Sequence, residues 1–453
     1  MLKRAIVAGL SGVLVLAASG LPGGTARAAR PNVLIIVTDD QRGGLSVMPT
    51  VRRYFIRDGV RYEPGFVTTP VCCPSRASIM TGRYAHNHLV KSNSNTGETG
   101  ADALDHSTTL QAYLHRAGYH TGTIGKFLNP PWSLTDNPPY FDEWVTSGGE
   151  GSKHDWFDAS YNVNGTIKTL PGYTTTVLAH RAAGFIRRNA PGAKPWYLYV
   201  ATKAPHLPAI AEEQYANLDV GAWDGDPAVF EEDRSDKPPY VVDSTTTLQY
   251  GRYVRARQFR SLASVDDLVA KLFTKLEAQG ELDNTLAFFI SDNGLMWAEH
   301  GLQGKGVPYK QAVTVPLMAR WPGHLTPGTD HRWAANIDIA PTVLDAAGIV
   351  PTVAQDGRSL LRPWRRDRLL LEAWCNGVNM DCNRWVSTWA RGYQYTEYWD
   401  QGAVTFREYY DLHADPWQLE NLLGDADVQN DPDLSAIQRQ LAADKNCAGS
   451  TCP

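Results

Sequence analysis

The sequence predicts an α/β fold: a large central, mostly parallel sheet flanked by helices, followed by a smaller antiparallel sheet. Three observations predict it. Uninterrupted apolar runs recur along the first 357 residues, and stripes of apolar residues at helical spacing lie between them. After Gly357 the segments turn rich in aromatic and β-branched residues. Strands alternating with helices give layered α/β architecture, whereas clustered aromatic strands give an antiparallel sheet.

Residues 32–38, Asn-Val-Leu-Ile-Ile-Val-Thr, have no polar face and read as a strand covered on both sides. Leu110, Tyr113, Leu114 and Ala117 recur at helical spacing, with Gly118 placed to end the helix. Residues 121–127 and 196–201 read as further strands. Leu262, Val265, Val269, Leu272, Phe273 and Leu276 make one stripe of a long helix that stops near Gly280. Strands follow at 285–290 and 315–319, then a helix at 337–346. Residues 219–244, rich in Asp and Pro, suggest a long surface loop at the rim of a site. Segments 368–374, 385–389 and 393–399 form the expected small sheet, and 431–445 a terminal helix. The expected organisation is a leader at 1–28, a large domain at 29–357 and a smaller one at 358–453.

The leader follows from Lys3 and Arg4, the apolar run 5–18 and the small-residue site Ala26-Arg27-Ala28. This is the pattern of a secretory signal peptide, and the run is short for a membrane span. An exported chain with no membrane span after signal removal is expected. The formal net charge is −5, and it becomes −8 without the three cations of the leader. That balance excludes general nucleic-acid binding and demands that an anionic substrate be attracted locally. Cys375 with Cys382 and Cys447 with Cys452 flank short loops and suggest two local disulfides. Cys72 and Cys73 are adjacent, and neighbouring cysteines bridge each other only with distortion.

Three constellations carry chemistry. Asp39 and Asp40 stand directly after the first buried strand, at the sheet edge where ligands bind in such folds. Two adjacent carboxylates there want a cation. Asp292 and Asn293, after the strand at 285–290, add a carboxylate and an amide oxygen. All of these are hard oxygen donors, suited to Ca²⁺ or Mg²⁺ and not to zinc. The third constellation is Cys72-Cys73-Pro74-Ser75-Arg76, continuing to Thr81-Gly82. Pro74 suits the start of a helix, whose N-terminus favours an anion, and Arg76 offers a planar cationic fork.

The string from Cys72 to Gly82 resembles the signature of the sulfatase family, C-x-P-S-R-x-x-x-[LM]-T-G. The resemblance implies an alkaline-phosphatase-like fold and a sulfuric ester hydrolase. It implies that Cys72 is oxidised by a formylglycine-generating enzyme to formylglycine (3-oxoalanine). It also implies Ca²⁺ held by Asp39, Asp40, Asp292, Asn293 and the modified Cys72. Gly125-Lys126, His206 within Ala-Pro-His-Leu-Pro, and Lys305 after Gly304 match the family's remaining site residues, so Arg76, Lys126, His206 and Lys305 are expected to contact the sulfate. Tyr410-Asp411-Leu412 through Asp415-Pro416, with Glu420-Asn421-Leu422, looks like the family's C-terminal sheet motif. Within the family the strings at 72–78, 84–88, 264–269 and 447–452 are similar to N-acetylglucosamine-6-sulfatases, which implies a sulfated carbohydrate or an aryl sulfate as substrate.

The sequence departs from the family at one point. Many sulfatases carry a histidine two or three residues after the first lysine, where this chain has Leu128 and Asn129. Asn129, His86 or His88 could take over its task in sulfate release. The implied mechanism has one hydroxyl of the aldehyde hydrate attack sulfur while the second later expels sulfate, with His206 or Lys305 protonating the leaving oxygen. Two other classes remain open from sequence: a phosphate mono- or diesterase on the same fold, and a non-catalytic module that binds sulfated glycans.

Overall fold

The computed structural model describes residue 1 and residues 30–93, 100–129, 134–147, 155–374 and 384–453. Nearly all of the expected leader, and the pair Cys375 and Cys382, lie outside the described residues.

The first strand, Asn32–Thr38, is buried at every position, as its apolar run requires. It sits at the centre of a ten-stranded sheet ordered Gly328–Asp330, Val60–Tyr62, Leu317–Arg320, Thr285–Ser291, Asn32–Thr38, Trp196–Ala201, His120–Gly125, Glu143–Ser147, Ser160–Val163 and Thr166–Thr169. The five strands from Thr285–Ser291 to Glu143–Ser147 run parallel, and the antiparallel pairings lie on either side of them. Register aligns Val37 with Ile290 and Ala201, and Ala201 with Gly125. The residues after these four positions therefore emerge along one edge, the usual ligand-binding edge of an α/β sheet.

Alternation along the first strand divides the core. Leu34 and Ile36 pack with helices Thr174–Asn189 and Leu248–Ala278. Val33, Ile35 and Val37 point to the other face, among helices Cys72–Thr81, Leu110–Arg116 and Ile339–Ala347. The expected layered architecture is thus the one observed.

Two strands differ from their expected extents for identifiable reasons. The run 315–319 is cut at Pro316, which has no N–H for a ladder. Thr314–Val315 joins a small sheet with Gly65–Phe66, while Leu317–Arg320 pairs with the central sheet. The strand expected at 121–127 ends at Gly125, whose φ is +100°. This residue lies so close to its neighbour that a Cβ there would stand 1.9 Å from the carbonyl oxygen of Ala201. The positive φ ends the strand at Gly125; the Lys126 N–H still donates to the Ala201 carbonyl oxygen at 2.9 Å, while its side chain enters the site and reaches Asp39.

The C-terminal sheet is antiparallel, with strands Arg368–Ala373, Arg384–Ala390, Tyr393–Asp400 and Ala403–Asp411 in sequence order. The terminal helix is Ser435–Asp444, and Cys447 and Cys452 form the expected disulfide. Segment 219–244 contains short helical turns, Pro227–Phe230 and Pro239–Val242. It reaches the neighbourhood of Asp40 through Asp226, 3.6 Å from Arg42.

Gly125→Ala places a side chain both in a strained conformation and against a carbonyl oxygen. It is expected to destabilise the fold by about 2 kcal/mol or more, read as a lower thermal midpoint. An unchanged midpoint would contradict the close approach.

Candidate active site

The nucleophile candidate opens a helix. Helix Cys72–Thr81 begins two residues before Pro74, so the proline occupies the first turn, where its missing N–H costs nothing. Every residue of this helix is buried. Neither Cys72 nor Cys73 is in a disulfide, and the Cys72 Sγ lies 3.4 Å from Asp39 Oδ1. Lys305 Nζ donates to the same sulfur at 2.6 Å. Burial, then the negative charge of Asp39, pushes the Cys72 thiol well above its ordinary pKa.

The sheet edge supplies the rest. Asp39 follows the first strand and accepts from Lys126 Nζ. Asp40 adopts φ +71° and accepts from Lys305 Nζ and, at 2.6 Å, from Asn293 Nδ2. His206 Nε2 is 3.6 Å from Asp40 Oδ2. Its Nδ1 is 2.7 Å from the carbonyl oxygen of Leu207, which can only accept, so Nδ1 carries the proton and Nε2 faces Asp40. Arg76 is wholly enclosed. It donates to Asp292 Oδ2 at 2.6 Å, to the carbonyl oxygen of Phe127 at 2.7 Å and to Asn129 Oδ1. All nine residues singled out from sequence therefore meet in one buried pocket.

The electrostatics of that pocket call for a cation. Burial works against the charge of Asp39, but Lys126, His206, Lys305 and Arg76 outweigh it and hold this carboxyl well below the ordinary range. Asp292 goes the other way: burial and the charge on Asp39 raise it to about 7 against the pull of Arg76. Asp39, Asp40, Cys72 and His206 each bring one potential ligand atom within 4.8 Å of the others. Asp292 stands beside this quartet, with its Oδ1 accepting from the Asp40 N–H at 3.2 Å. Asn293 Oδ1 is buried and, among the described residues, has no hydrogen-bond partner. A buried orphaned carbonyl oxygen beside crowded carboxylates fits a hard divalent cation.

The histidines near the helix do other work. His88 accepts the Val90 N–H on Nδ1 at 3.1 Å, so its Nε2 proton is donated to Ser78 Oγ at 3.0 Å. His86 contacts Glu372 at 2.8 Å and the Cys447 carbonyl oxygen at 2.9 Å, both toward the C-terminal sheet. Neither replaces the family histidine; of the three alternatives only Asn129 reaches the site. Sequence reasoning passed over Gln258, on the long helix. Its Nε2 donates to the carbonyl oxygens of Asp40 at 3.0 Å and Pro205 at 3.2 Å, fixing the two turns that carry Asp40 and His206. A lone glutamine on a helix gives no local signal of that role.

With this geometry established, comparison with known proteins places the chain. The profile named Sulfatase matches residues 31–349, and one named N-sulphoglucosamine sulphohydrolase, C-terminal, matches residues 298–444. The chain belongs to the sulfatase family, whose members are sulfuric ester hydrolases. It is 30% identical to an N-acetylglucosamine-6-sulfatase of Capra hircus over 96% of this chain and 86% of the relative. It is 31% identical to an extracellular sulfatase SULF-1 homolog of Drosophila melanogaster over 74% of this chain, which spans only 31% of that longer protein. Among solved structures it is similar to a protein crystallised with its substrate D-glucosamine-2-N,6-O-disulfate, with a TM-score of 0.76, 22% identity and coverage of 91% of this chain and 96% of that one. A phosphonate monoester hydrolase of Agrobacterium radiobacter shares the fold, with a TM-score of 0.69, 23% identity and coverage of 91% and 94%. Fold by itself therefore does not select the ester.

The enclosure of His88 yields a pH prediction. Burial, reinforced by Arg83 and His86, lowers its pKa to about 3. A histidine depressed in the folded state contributes stability above its unfolded pKa of about 6.5, and loses it as pH falls toward the folded value. Between pH 6.5 and 5 the loss is about 2 kcal/mol. Urea midpoints of wild type and His88→Gln at the two pH values are expected to show a shallower acid slope in the variant; equal slopes would contradict the assignment.

Proposed function

We propose that this chain hydrolyses sulfate esters of glucosamine at the 6-position, with Cys72 converted to formylglycine and Ca²⁺ as its metal. The observation that carries this reading is the placement of Cys72 at the first residue of a buried helix, 3.4 Å from Asp39 and 2.6 Å from Lys305 Nζ, inside a full family signature. The substrate class rests on the similarity to N-acetylglucosamine-6-sulfatases and to the glucosamine disulfate complex. Export is proposed from the leader-like residues 1–28 and from the disulfide of Cys447 with Cys452. Among the described residues no helix is long and apolar enough to cross a membrane.

Asp39, Asp40, Asp292, Asn293 and the oxidised residue 72 would hold the Ca²⁺. When bound, it supplies positive charge next to the attacking oxygen and the sulfate. The thiol sulfur marks where the two hydroxyls of the aldehyde hydrate stand, one to attack sulfur and one to expel sulfate afterwards. Lys126 and Lys305 are fixed on carboxylates, so their charges are already oriented when sulfate oxygens gain negative charge. Arg76, locked by three acceptors, holds Asp292 in place. His206 lies at the mouth, its side chain about a quarter exposed, and as an imidazolium, with a second proton on Nε2 facing Asp40, it donates that proton to the leaving oxygen.

Four experiments test the reading. Mass spectrometry of the Cys72 peptide, after co-expression with a formylglycine-generating enzyme, is expected to find an aldehyde in place of the thiol. Cys72→Ala should keep its thermal midpoint and lose more than ~10³ in turnover of p-nitrophenyl sulfate. Wild type should cleave that sulfate far faster than p-nitrophenyl phosphate, and the reverse preference would favour the phosphatase class. For the metal, Ca²⁺ at about 100 times its dissociation constant should stabilise the EDTA-treated protein by about 2.7 kcal/mol. Asn293→Ala should shrink that gain, and a gain with Zn²⁺ alone would refute a calcium site.

A further inference from the structure

One buried amide ties together three of the turns that build the active site. Gln258 lies on helix Leu248–Ala278, four residues after Val254 and four before Leu262, so it interrupts the apolar stripe that packs on the central sheet. The residue is sealed from solvent. An amide in such a place costs free energy unless its polar atoms are bonded. Here both ends are bonded. Oε1 accepts from Trp297 Nε1 at 2.7 Å, and Nε2 donates to the carbonyl oxygens of Asp40 at 3.0 Å and Pro205 at 3.2 Å. An indole N–H can only donate, which fixes the amide oxygen on the Trp297 side and the nitrogen on the side of the two carbonyls.

The three partners belong to three different strand ends. Asp40 follows strand Asn32–Thr38, Pro205 precedes His206 in the turn after Trp196–Ala201, and Trp297 stands in the turn after Thr285–Ser291, beyond Asn293. Asp40 has φ +71°, outside any regular strand, and Gln258 supplies the donor for its carbonyl oxygen. The preceding helix residue, Arg257, donates through Nε to the carbonyl oxygen of Pro208 at 2.6 Å. Two successive helix residues therefore grip the turn on both sides of His206. Arg42 pins the indole of Trp297, its guanidinium 3.8 Å from the ring centre. His206 Nε2 is 3.6 Å from Asp40 Oδ2, too far for a hydrogen bond, so the spacing of these side chains is set by the turns beneath them. The backbone joins the two turns through the Asp39 N–H and the Ala204 carbonyl oxygen at 3.3 Å. Gln258 adds two bonds one residue further out, at Asp40 itself and next to His206.

Resting on the function proposed above, we infer that Gln258 is a positioning residue for proton delivery: it fixes His206 against the Asp40 edge so that the imidazolium reaches the leaving oxygen. The amide itself touches no reacting atom. As the bond from sulfur to the leaving oxygen breaks, its electron pair stays on that oxygen, which takes the proton from His206 Nε2. A sugar alcohol leaves poorly without that proton, whereas p-nitrophenolate leaves well without it. A displacement of His206 by about 1 Å therefore penalises the sugar ester selectively. A glutamine that only filled the core would, when replaced, lower turnover of both esters alike.

The test measures kcat for N-acetylglucosamine-6-sulfate and for p-nitrophenyl sulfate in the matured, calcium-loaded wild type, Gln258→Leu, His206→Ala and the double variant. Gln258→Leu is expected to lose about 100-fold on the sugar ester, and at least about tenfold less than that on the aryl ester. Added to His206→Ala, it should cost the sugar ester no more than about threefold further, because the group it positions is already gone. Equal loss on both esters, as a slackened metal site would give, would overturn the inference, and so would full multiplication of the two losses. Gln258→Glu keeps the bond from Trp297 but turns an oxygen toward both carbonyls, and it decides the matter if the leucine variant does not fold. The same selective loss is expected from it, and a wild-type ratio of the two rates would overturn the inference. If the wild type instead preferred the corresponding phosphate esters, the proposed function would fail. On those esters a selective loss would still uphold the role of Gln258, and an equal loss would refute it.

Discussion

Asp39, Asp40 and Asp292 are all but sealed from solvent in one pocket, and most of the site follows from the cost of putting them there. A buried carboxylate is tolerated only when its charge is matched and its oxygens are bonded. Arg76, Lys126 and Lys305 supply three cations for the three acids, and each contacts a particular carboxylate. The match is still uneven. Asp39 is held ionised by several cations, whereas Asp292 rises to about 7 because Asp39 is near. Asp292 has Arg76 for its ion pair but shares the pocket with the ionised Asp39, and among the described residues Asn293 Oδ1 is left without a donor. The same residues that would stabilise a sulfate in transit are, before it arrives, what allows the acids to be buried.

Much of this was legible because catalytic geometry here is written in short strings at strand ends. An apolar strand followed by Asp-Asp, or by Asp-Asn-Gly, fixes the sheet edge on which a side chain emerges, and parallel register then brings those edges together. The signature around Cys72 carried the rest. Legibility failed where the signal is not local. Helix Thr174–Asn189 contributes much of one core face, but Thr174, Thr175, Ala179, Ala182 and Ala183 make up much of its buried stripe and give a weak apolar signal. The strand Ala403–Asp411 carries Arg407 and Glu408 and lies half exposed at the edge of its sheet, so its pattern resembles a loop. Gln258 and the inward turn at Gly125 depend on neighbours more than 50 residues away. His86 and His88 illustrate the opposite error: proximity to the signature in sequence suggested catalysis, and the fold turned both away.

The C-terminal sheet is more than an appendage to this arrangement, because it holds the segment that presents Lys305. Three contacts reach that segment from the sheet. Trp385 Nε1 donates to the carbonyl oxygen of Gly306 at 2.8 Å, Gln394 Nε2 to that of Pro308 at 2.8 Å, and Tyr309 Oη to Glu408 Oε1 at 2.7 Å. Glu408 is buried and also accepts from Tyr398 and Tyr410, at 2.6 and 2.7 Å. Burial raises its pKa, while the three phenol donors and Lys237 favour the charged form. Removing any one donor would leave an unmatched acceptor in the interior, so this junction resists partial opening. Lys305 must keep its ammonium on both Asp40 and residue 72, and a long side chain on a free loop would surrender that geometry to rotamer entropy. The sheet removes that freedom from outside the pocket, where its own residues need not touch the reacting sulfate.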